Sequence, residues 1–478
     1  MVWTFGQQFS GQLISFVVSI ILARLLLPAQ FGLIGMLSIF ISVGRSLMDT
    51  GLTSSIIRTK DADQRDYSTV FFINLIGSVI IYAIVFFLAP FIASFYKQEI
   101  LTSLVRVYSL LFIFQAFMGM QNALLTIKMD FKTIMLIEIP SILIGGTLGV
   151  ILAYYGFGVW SLVYMSLSQA FLSSLQHWLY SSWRPDWIFD TKRFKKHFDF
   201  GYKITLAGLL ETIFQNLYTI LIGKYFSATQ LGYYTRAFSF RQLPISNISA
   251  AIGKVTYPML SSIGQDDIKL KSIYKKLMQQ VIFWIAPLMI ILMVVAEPLF
   301  RFLLTEKWLP AVPYFQILCF SGIFVPLQSY NLNMIKVKGR TDLTLRLQVI
   351  KKTYSIVGIF CAFPFGIYGL LYFQIITGFI DYVLNCYYSG KMVNYYVKEQ
   401  LLDILPAILL SIIIGIIVWM FDRHFLMSIN MMDLLRIAMD GVLYFSMYLG
   451  VSYTIKLPAL VELIGMVFKK KNSVFTSG

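Results

Sequence analysis

Residues 21–32 read ILARLLLPAQFG, and the pattern returns at residues 221–232 as LIGKYFSATQLG. The two segments align without a gap, with Arg24 opposite Lys224 and Gln-x-Gly opposite Gln-x-Gly. Chance similarity between apolar segments is the alternative explanation, but it does not account for the matched polar residues. An internal repeat of this kind predicts an architecture before any single helix is assigned.

A second match lies deeper in the chain, where FGVWSLVY at residues 157–164 aligns with FGIYGLLY at residues 365–372. The two shifts are 200 and 208 residues, so the first six and the next six predicted helices form parallel repeats of one unit. An even number of helices per unit keeps both halves in the same membrane orientation. Halves of this type pack around an axis along the membrane normal, with a cavity between them.

The composition indicates an integral membrane protein. Of 478 residues, 58% are hydrophobic and 13% are charged, whereas soluble domains have about 45–50% apolar and about 25% charged residues. The net charge of +16 would suggest nucleic acid as a partner in a soluble protein, but no basic soluble domain is present to bind it. Three scattered histidines and three cysteines without a CxxC pair predict neither a disulfide framework nor a metal site.

The fold class is therefore an all-α polytopic membrane protein. A helix needs about 20 apolar residues to cross a bilayer, and this rule predicts about 14 spans. The predicted spans lie near 5–27, 32–57, 68–92, 104–127, 133–155, 158–180, 202–225, 230–257, 276–296, 313–335, 346–363, 367–389, 403–421 and 433–455.

Four regions follow from the spans and the repeat. The predicted regions are an N-lobe of six helices (1–180), a cytoplasmic linker (181–200), a C-lobe of six helices (201–390), and two further helices with a tail (391–478). The linker mixes tryptophan and phenylalanine with basic residues, which is typical of an amphipathic segment on the inner leaflet. A plain solvated linker is the alternative.

The distribution of basic residues predicts the orientation. Alternate connections carry about 25 lysines and arginines on one side and about four on the other, and the richer side faces the cytoplasm. Both termini are therefore predicted to be cytoplasmic.

Charged residues inside the spans are the candidates for function, because burying a charge in a bilayer is costly. The basic candidates for a substrate anion lie in predicted spans 1, 2, 7 and 8: Arg24, Arg45, Lys224, Arg236 and Arg241. Arginine binds phosphate in a bidentate manner and keeps its charge when buried. The candidates for ion coupling or charge pairing are Asp49, Glu211 and Asp381.

Each candidate also has a structural explanation. Arg24 and Lys224 lie about one turn from the outer interface and could extend their side chains to it. Arg45 is predicted near the middle of span 2, where a salt bridge to Asp49, four residues later, is the alternative to a substrate contact. Arg436 and Asp440 have the same spacing near a span end, which predicts an intrahelical ion pair.

No catalytic site is predicted. The chain has no Walker A motif, no HExxH and no GxSxG. The sequence therefore predicts a protein that is not an enzyme and has neither catalytic residues nor a bound metal.

The ordered motifs resemble the polysaccharide transporters of the multidrug/oligosaccharidyl-lipid/polysaccharide exporter superfamily. They are most similar to bacterial O-antigen and exopolysaccharide lipid flippases of the colanic-acid or teichuronic-acid exporter type. The resemblance covers nearly the whole chain, and the motifs that carry it are LARLLLPAQFG (22–32), DTGL (49–52), IIR (56–58), LGYY (231–234) and GRTD (339–342).

The resemblance implies a multi-pass protein of the bacterial inner membrane, with two six-helix lobes around a basic cavity and transport by alternating access. It implies an oligosaccharide on undecaprenyl pyrophosphate as substrate, moved from the cytoplasmic to the periplasmic leaflet for surface polysaccharide synthesis. Membrane lipid is an expected partner, together with a polysaccharide polymerase and a chain-length regulator. No cofactor is expected, and protons, sodium ions or the substrate gradient are the candidate energy sources.

Two other classes of function stay open. The first is a relative with different cargo, either a peptidoglycan-precursor flippase or a cation-coupled drug antiporter. A drug-cation site would favour carboxylates and aromatic rings over this many arginines. The second is a membrane-embedded polysaccharide polymerase or glycosyltransferase, which would place catalytic residues in a large outer loop or a soluble domain.

Overall fold

The computed structural model describes residues 2–48, 51–59, 61–263, 266–429 and 431–465. This part of the chain consists of helices and their connections, without a strand. The all-helical fold predicted from the composition is thereby confirmed.

Ten helices precede residue 226: α1 Val2–Leu25, α2 Pro28–Met48, α3 Leu52–Arg58, α4 Gln64–Tyr96, α5 Leu101–Tyr108, α6 Leu111–Ile127, α7 Phe131–Tyr154, α8 Val159–Tyr180, α9 Thr191–Gln215 and α10 Leu217–Tyr225. Nine follow: α11 Ala228–Ile263, α12 Asp267–Val294, α13 Ala296–Leu304, α14 Val312–Gly322, α15 Phe324–Val337, α16 Thr341–Ala362, α17 Gly366–Val393, α18 Val397–Phe421 and α19 Asp433–Thr454.

Within the described residues, nine helical stretches are long and apolar enough to cross a membrane, or ten if a bent pair counts as one span. That pair, Thr205–Gln215 and Leu217–Tyr225, bends by 46°. Many large apolar side chains point outward, such as Phe87 and Phe91 on α4, and a bilayer is the solvent that such a surface requires. The number of about 14 spans stays a prediction.

Two predicted spans are interrupted. Predicted span 2 (32–57) is divided, because α2 ends at Met48 and α3 starts at Leu52 after Gly51, whose φ of 62° is left-handed. Predicted span 7 (202–225) is divided at Asn216, and its first helix, α9, begins inside the predicted linker. The second half of that linker is therefore helical and continuous with the next predicted span.

Aspartates cap four helices at the ends predicted to face the cytoplasm: Asp63 on α4, Asp130 on α7, Asp190 on α9 and Asp266 on α12. Each carboxylate accepts a hydrogen bond from a backbone N–H of the first turn, which has no partner within its helix. At α7, hydrogen bonds from the side chain and the backbone N–H of Thr133 hold the pKa of Asp130 below its ordinary value.

The chain forms two compact units, Met1–Thr235 and Arg236–Gly478, and each is described by itself. The predicted lobes at 1–180 and 201–390 remain a prediction drawn from the repeat.

In the first unit, the two segments of the repeat cross at their glycines. A Cβ atom on Gly32 would lie 1.7 Å from the carbonyl oxygen of Ala228, and a Cβ on Gly232 would lie 1.9 Å from the carbonyl oxygen of Pro28. The contact is reciprocal, because Pro28 and Ala228 are themselves matched by the repeat. Only glycine allows backbones to approach this closely, which explains why both segments end in Gln-x-Gly.

In the second unit, a buried polar network joins those parts of α12, α15 and α17 that are predicted to lie toward the cytoplasm. Asn331 accepts hydrogen bonds from the hydroxyls of Tyr274 and Ser389, and its amide donates to the carbonyl oxygen of Leu327 at 3.1 Å. Nearby, the hydroxyl of Tyr395 donates to Asp403 at 2.7 Å. Buried polar groups that are satisfied in this way stabilise one packing arrangement.

Candidate functional site

The two arginines of the first two helices are both exposed and both lie in the last turn of their helix. Arg24 is near the end of α1 and Arg45 is near the end of α2. The predicted location of Arg45 near the middle of a helix is therefore wrong, because α2 ends three residues later. A cation is favoured at this position by the partial negative charge of the helix C-terminus.

The backbone around Arg45 is held tightly although its side chain is exposed. A Cβ on Gly44 would lie 2.2 Å from the ring of Phe112 on α6, and a Cβ on Gly208 of α9 would lie 3.4 Å from the hydroxyl of Ser46. No described residue forms an ion pair or a hydrogen bond with the Arg45 guanidinium. The predicted partner Asp49 lies outside the described residues.

Lys224 on α10 is bound to the end of α4. Its ammonium group donates a hydrogen bond to the carbonyl oxygen of Phe95 and lies 4.2 Å from the centre of the Phe95 ring. The next residue back, Gly223, packs against the ring of Tyr96. Lys224 therefore caps a helix C-terminus, and a cation there is favoured both by the last carbonyls and by the aromatic face.

Arg236 and Arg241 on α11 belong to the second unit and are both buried. The Arg236 guanidinium lies 5.6 Å from the ring centre of the buried Trp308, and that of Arg241 lies 4.7 Å from the ring of Phe238. Arg241 also donates to the hydroxyl of Ser321 at 3.2 Å. Both charges are therefore stabilised by aromatic rings inside the unit.

The remaining predicted carboxylates lie in different units. Glu211 on α9 accepts a hydrogen bond from Gln215 at 3.1 Å. Asp381 on α17 accepts one from the hydroxyl of Tyr354 and lies 4.0 Å from the ammonium of Lys351. Lys351 and Tyr354 are three residues apart on α16, so one helix face presents both groups to Asp381.

The predicted residues thus occupy different environments. Arg24, Arg45, Lys224 and Glu211 lie in the first unit, and Arg236, Arg241 and Asp381 lie in the second. The repeat mates Arg24 and Lys224 differ, since one is exposed and the other is half-buried. Their roles at a substrate site stay predictions.

A buried cluster that the sequence analysis missed joins α3, α4 and α9. His197 is completely buried, with Nδ1 2.8 Å from the hydroxyl oxygen of Ser55 and Nε2 3.1 Å from a carboxylate oxygen of Asp66. Arg193 bonds the other Asp66 oxygen and also Asp63, at 2.6 Å. Five side chains therefore lock the start of α9 onto α3 and the start of α4.

The spacing of these residues within each helix is consistent with the lock, but it does not identify the partner helix. Asp63 and Asp66 are three residues apart at a helix start, and Arg193 and His197 are four apart on one face of α9. Each pair presents its groups in one direction. The spacing does not show that the two faces meet, because the contacting residues are 130 positions apart for Arg193 and Asp63 and 131 apart for His197 and Asp66.

The predicted ion pair between Arg436 and Asp440 is wrong. Arg436 instead makes two parallel hydrogen bonds to Asp422, at 2.8 and 2.7 Å. Asp422 starts a π-helical turn, Asp422–Leu426, directly after α18. The tertiary partner is preferred because the fork of the guanidinium matches a carboxylate that approaches it in its plane.

Comparisons with known proteins agree with this fold. A family profile described as "polysaccharide biosynthesis protein" matches residues 21–313. The chain is 24% identical to the teichuronic acid biosynthesis protein TuaB of Bacillus subtilis (strain 168) over 83% of its own length and 84% of that protein. It is 25% identical to the lipopolysaccharide biosynthesis protein WzxC of Escherichia coli (strain K12), over 83% of each chain.

Two solved structures share the architecture. An inward closed conformation of the lipid II flippase MurJ matches with a TM-score of 0.73 at 13% identity, covering 95% of this chain and 99% of that one. An inward-facing multidrug resistance MATE family transporter of the MOP superfamily matches with a TM-score of 0.61 at 18% identity, covering 80% and 95%. The fold is that of this transporter superfamily, and the chain belongs to the polysaccharide biosynthesis protein family.

Proposed function

We propose that the protein is a flippase that moves an oligosaccharide linked to undecaprenyl pyrophosphate from the cytoplasmic to the periplasmic leaflet by alternating access. Relatives named for teichuronic acid and lipopolysaccharide biosynthesis support a role in surface polysaccharide assembly. A fold shared with a lipid II flippase is compatible with a substrate that carries a lipid tail.

The exposed guanidinium of Arg45 is the observation that carries the proposal about the substrate headgroup. A pyrophosphate needs donors with fixed geometry, and a guanidinium offers two parallel N–H groups to one phosphate. Arg45 has no ion pair or hydrogen bond to a described residue, so its donors are available. We assign it the main contact to the pyrophosphate, with Arg24 as a second basic group.

The other basic residues have contacts of their own and contribute differently. Lys224 caps α4, and Arg236 and Arg241 pack on aromatic rings. In the proposed function, Lys224 adds positive potential near the pyrophosphate without touching it. Arg236 and Arg241 stay candidates from the sequence pattern.

The experiment is complementation of a deletion strain, with two readouts. Surface polysaccharide should disappear in the deletion strain and return with the wild-type gene, while lipid-linked oligosaccharide accumulates in the inner leaflet of the deletion strain. A glycosyltransferase defect would give no lipid-linked product, and a polymerase defect would give single repeat units at the outer leaflet. Either result would contradict the proposal.

A peptidoglycan-precursor flippase is the second candidate, because the structural match to the lipid II flippase covers nearly the full length of both chains. Depletion of the cell's own lipid II flippase separates the two candidates. We expect no rescue of growth by this protein; rescue would favour the second candidate. A change in drug resistance without a change in surface polysaccharide would instead favour the antiporter.

The polysaccharide polymerase and the chain-length regulator are proposed partners that act after export. Crosslinking in membranes from the native host tests this association, and its absence would leave the flippase proposal unaffected.

A further inference from the structure

Asp440 on α19 is a completely buried carboxyl group without a hydrogen-bond partner. Both of its carboxyl oxygens lack a partner in the described structure, and none of its surface is exposed. A bare carboxylate in such a place would pay a large desolvation penalty. The group is stable there when it carries a proton.

The nearest basic group is committed to another acid. Arg436, one turn before Asp440, makes its two parallel hydrogen bonds to Asp422. The guanidinium one turn before Asp440 is therefore already bound to a second buried carboxyl group.

The surrounding charges are already paired. Asp433 on α19 lies 3.6 Å from Arg436 and 3.4 Å from Arg301 of α13, and Arg301 also bonds Glu297 at 2.6 Å. Helix α12, which also contacts α19, has no charged residue after Lys276. Helix α18, the other helix packed on α19, has no charged residue after Asp403. Arg423 of the π-helical turn lies 5.4 Å from the ring centre of Trp419.

Asp422 and Arg436 line a cavity that is large enough for water, whereas Asp440 lies behind them, outside its lining. The cavity has a volume of about 530 Å³ and is also lined by Arg423 and Glu297. Its size and its charged lining suit several water molecules. By the positive-inside prediction, this end of the helix pair α18 and α19 faces the periplasm.

We propose that Asp422 and Asp440 form a proton-binding site in which Arg436 pairs with one carboxylate while the other binds a proton. In the conformation described, Arg436 holds Asp422 and the proton is on Asp440. If Arg436 turns to Asp440, the spacing of four residues allows the new pair. As Arg436 leaves Asp422 for Asp440, the proton passes in net terms from Asp440 to Asp422, the carboxyl group of the two that lines the cavity.

A proton is favoured over a metal cation as the ligand. In the part of the chain that the structure describes, no three His, Cys, Asp or Glu side chains converge as metal ligands would. Cations such as calcium and magnesium need several oxygens, whereas one carboxyl group binds a proton by itself.

The direct test is infrared spectroscopy of the purified protein in lipid nanodiscs. Wild type should show the carbonyl band of a protonated buried carboxylic acid at neutral pH, shifted in D₂O. Asp440→Asn should remove the band, and the exposed control Asp342→Asn should keep it. Asp422→Ala should also remove it although Asp440 is present, because the freed Arg436 pairs with Asp440.

A band that persists in Asp440→Asn would overturn the proposal, as would one that persists in Asp422→Ala. A band that responds to sodium and not to pH would assign the site to a metal cation instead. The Asp422→Ala result keeps the test decisive if Asp440→Asn fails to fold.

Coupling of this proton to transport rests on the proposed function. A protonophore should lower polysaccharide export by the wild-type protein. Asp440→Asn should export little polysaccharide, and the protonophore should not change that level. The infrared result does not depend on the substrate, so it separates failure of the proton site from failure of the flippase proposal.

Discussion

At the scale of single residues, Arg45 gives the sharpest test of the substrate proposal. Arg45→Lys keeps the charge but loses the two parallel donors, so export should fall partially. Arg45→Ala should abolish export, with lipid-linked sugar accumulating in the inner leaflet. The measurement is surface polysaccharide in the deletion strain, with protein level checked by blotting.

Two controls accompany this variant. Arg65→Ala removes an exposed arginine at the start of α4 and should leave export unchanged. The double variant Arg45→Ala with Asp49→Ala tests the structural alternative, in which the two residues only neutralise each other. Restored export in the double variant would remove Arg45 from the substrate site.

Lys224 is expected to affect stability directly. Lys224→Met removes the hydrogen bond to Phe95 and the contact with its ring, and should cost about 1 kcal/mol of folding free energy. Lys224→Arg should retain most of this folding free energy. Thermal unfolding in detergent measures both, and equal melting temperatures for the methionine variant and wild type would contradict the capping role. Export per folded molecule then reports any substrate role separately.

These environments show what a sequence pattern leaves out. The repeat correctly matches Arg24 with Lys224 as basic residues at helix ends, because the backbone pattern is local. The group that Lys224 binds lies 129 residues earlier in the chain. Charge and helix position are readable from the sequence, whereas the partner is decided by packing between distant segments.

At the scale of helices, the glycine crossing should tolerate no side chain. Gly32→Ala places a methyl group on the Ala228 carbonyl, so the helices must separate, at a cost of at least about 1–3 kcal/mol. Gly232→Ala should have an equal effect, because the contact is reciprocal. Gly77→Ala on α4 is the matched control, since nothing lies within 4 Å of its added Cβ. Unequal losses of thermal stability for the two crossing variants would contradict the reciprocity.

The lock at the start of α9 should be a second determinant of stability. Asp66→Ala leaves Arg193 and His197 without their buried partner, and should cost about 3–5 kcal/mol. Asp61→Asn, an exposed neighbour, is the control. Thermal unfolding and protease cleavage after the linker lysines report the loss. An Asp66→Ala protein as stable as the control would show that the lock contributes nothing.

The pH dependence of this lock has a definite sign. Burial raises the pKa of Asp63, but the backbone N–H of Asp66 and the charge of Arg193 lower it by more, so the pKa lies below its ordinary value. The contribution of Asp63 to the free energy of unfolding is therefore complete above the ordinary carboxyl pKa. This contribution is lost as the pH falls through the lowered pKa of the folded protein.

At the scale of the whole molecule, the orientation is open to a direct test. Reporter fusions after Ser94 and after Phe421 should read as periplasmic, and fusions after Lys271 as cytoplasmic. The expectation follows from about 25 basic residues on one side against about four. A reversed pattern would overturn both the span assignment and the periplasmic location of the Asp440 site.

The helical membrane fold was predictable because a bilayer leaves a chain few choices. Every backbone group must be bonded within its own helix, so long apolar runs become helices. The break at Gly51 and the bend at Asn216 were not predicted, because a short irregular connection hardly changes the composition of a long window. The same holds for α13, which lies in the connection between the predicted spans 276–296 and 313–335.

The reciprocal glycine contact has a consequence for the origin of the chain. Position 28 meets position 232 and position 228 meets position 32, which is how two identical subunits touch at a two-fold axis. A single ancestral unit with this helix start could therefore have paired with a second copy of itself before its gene was duplicated and fused. Once the copies were joined, each half was able to change alone, and the chain now carries Arg24 in one half and Lys224 at the matched position of the other.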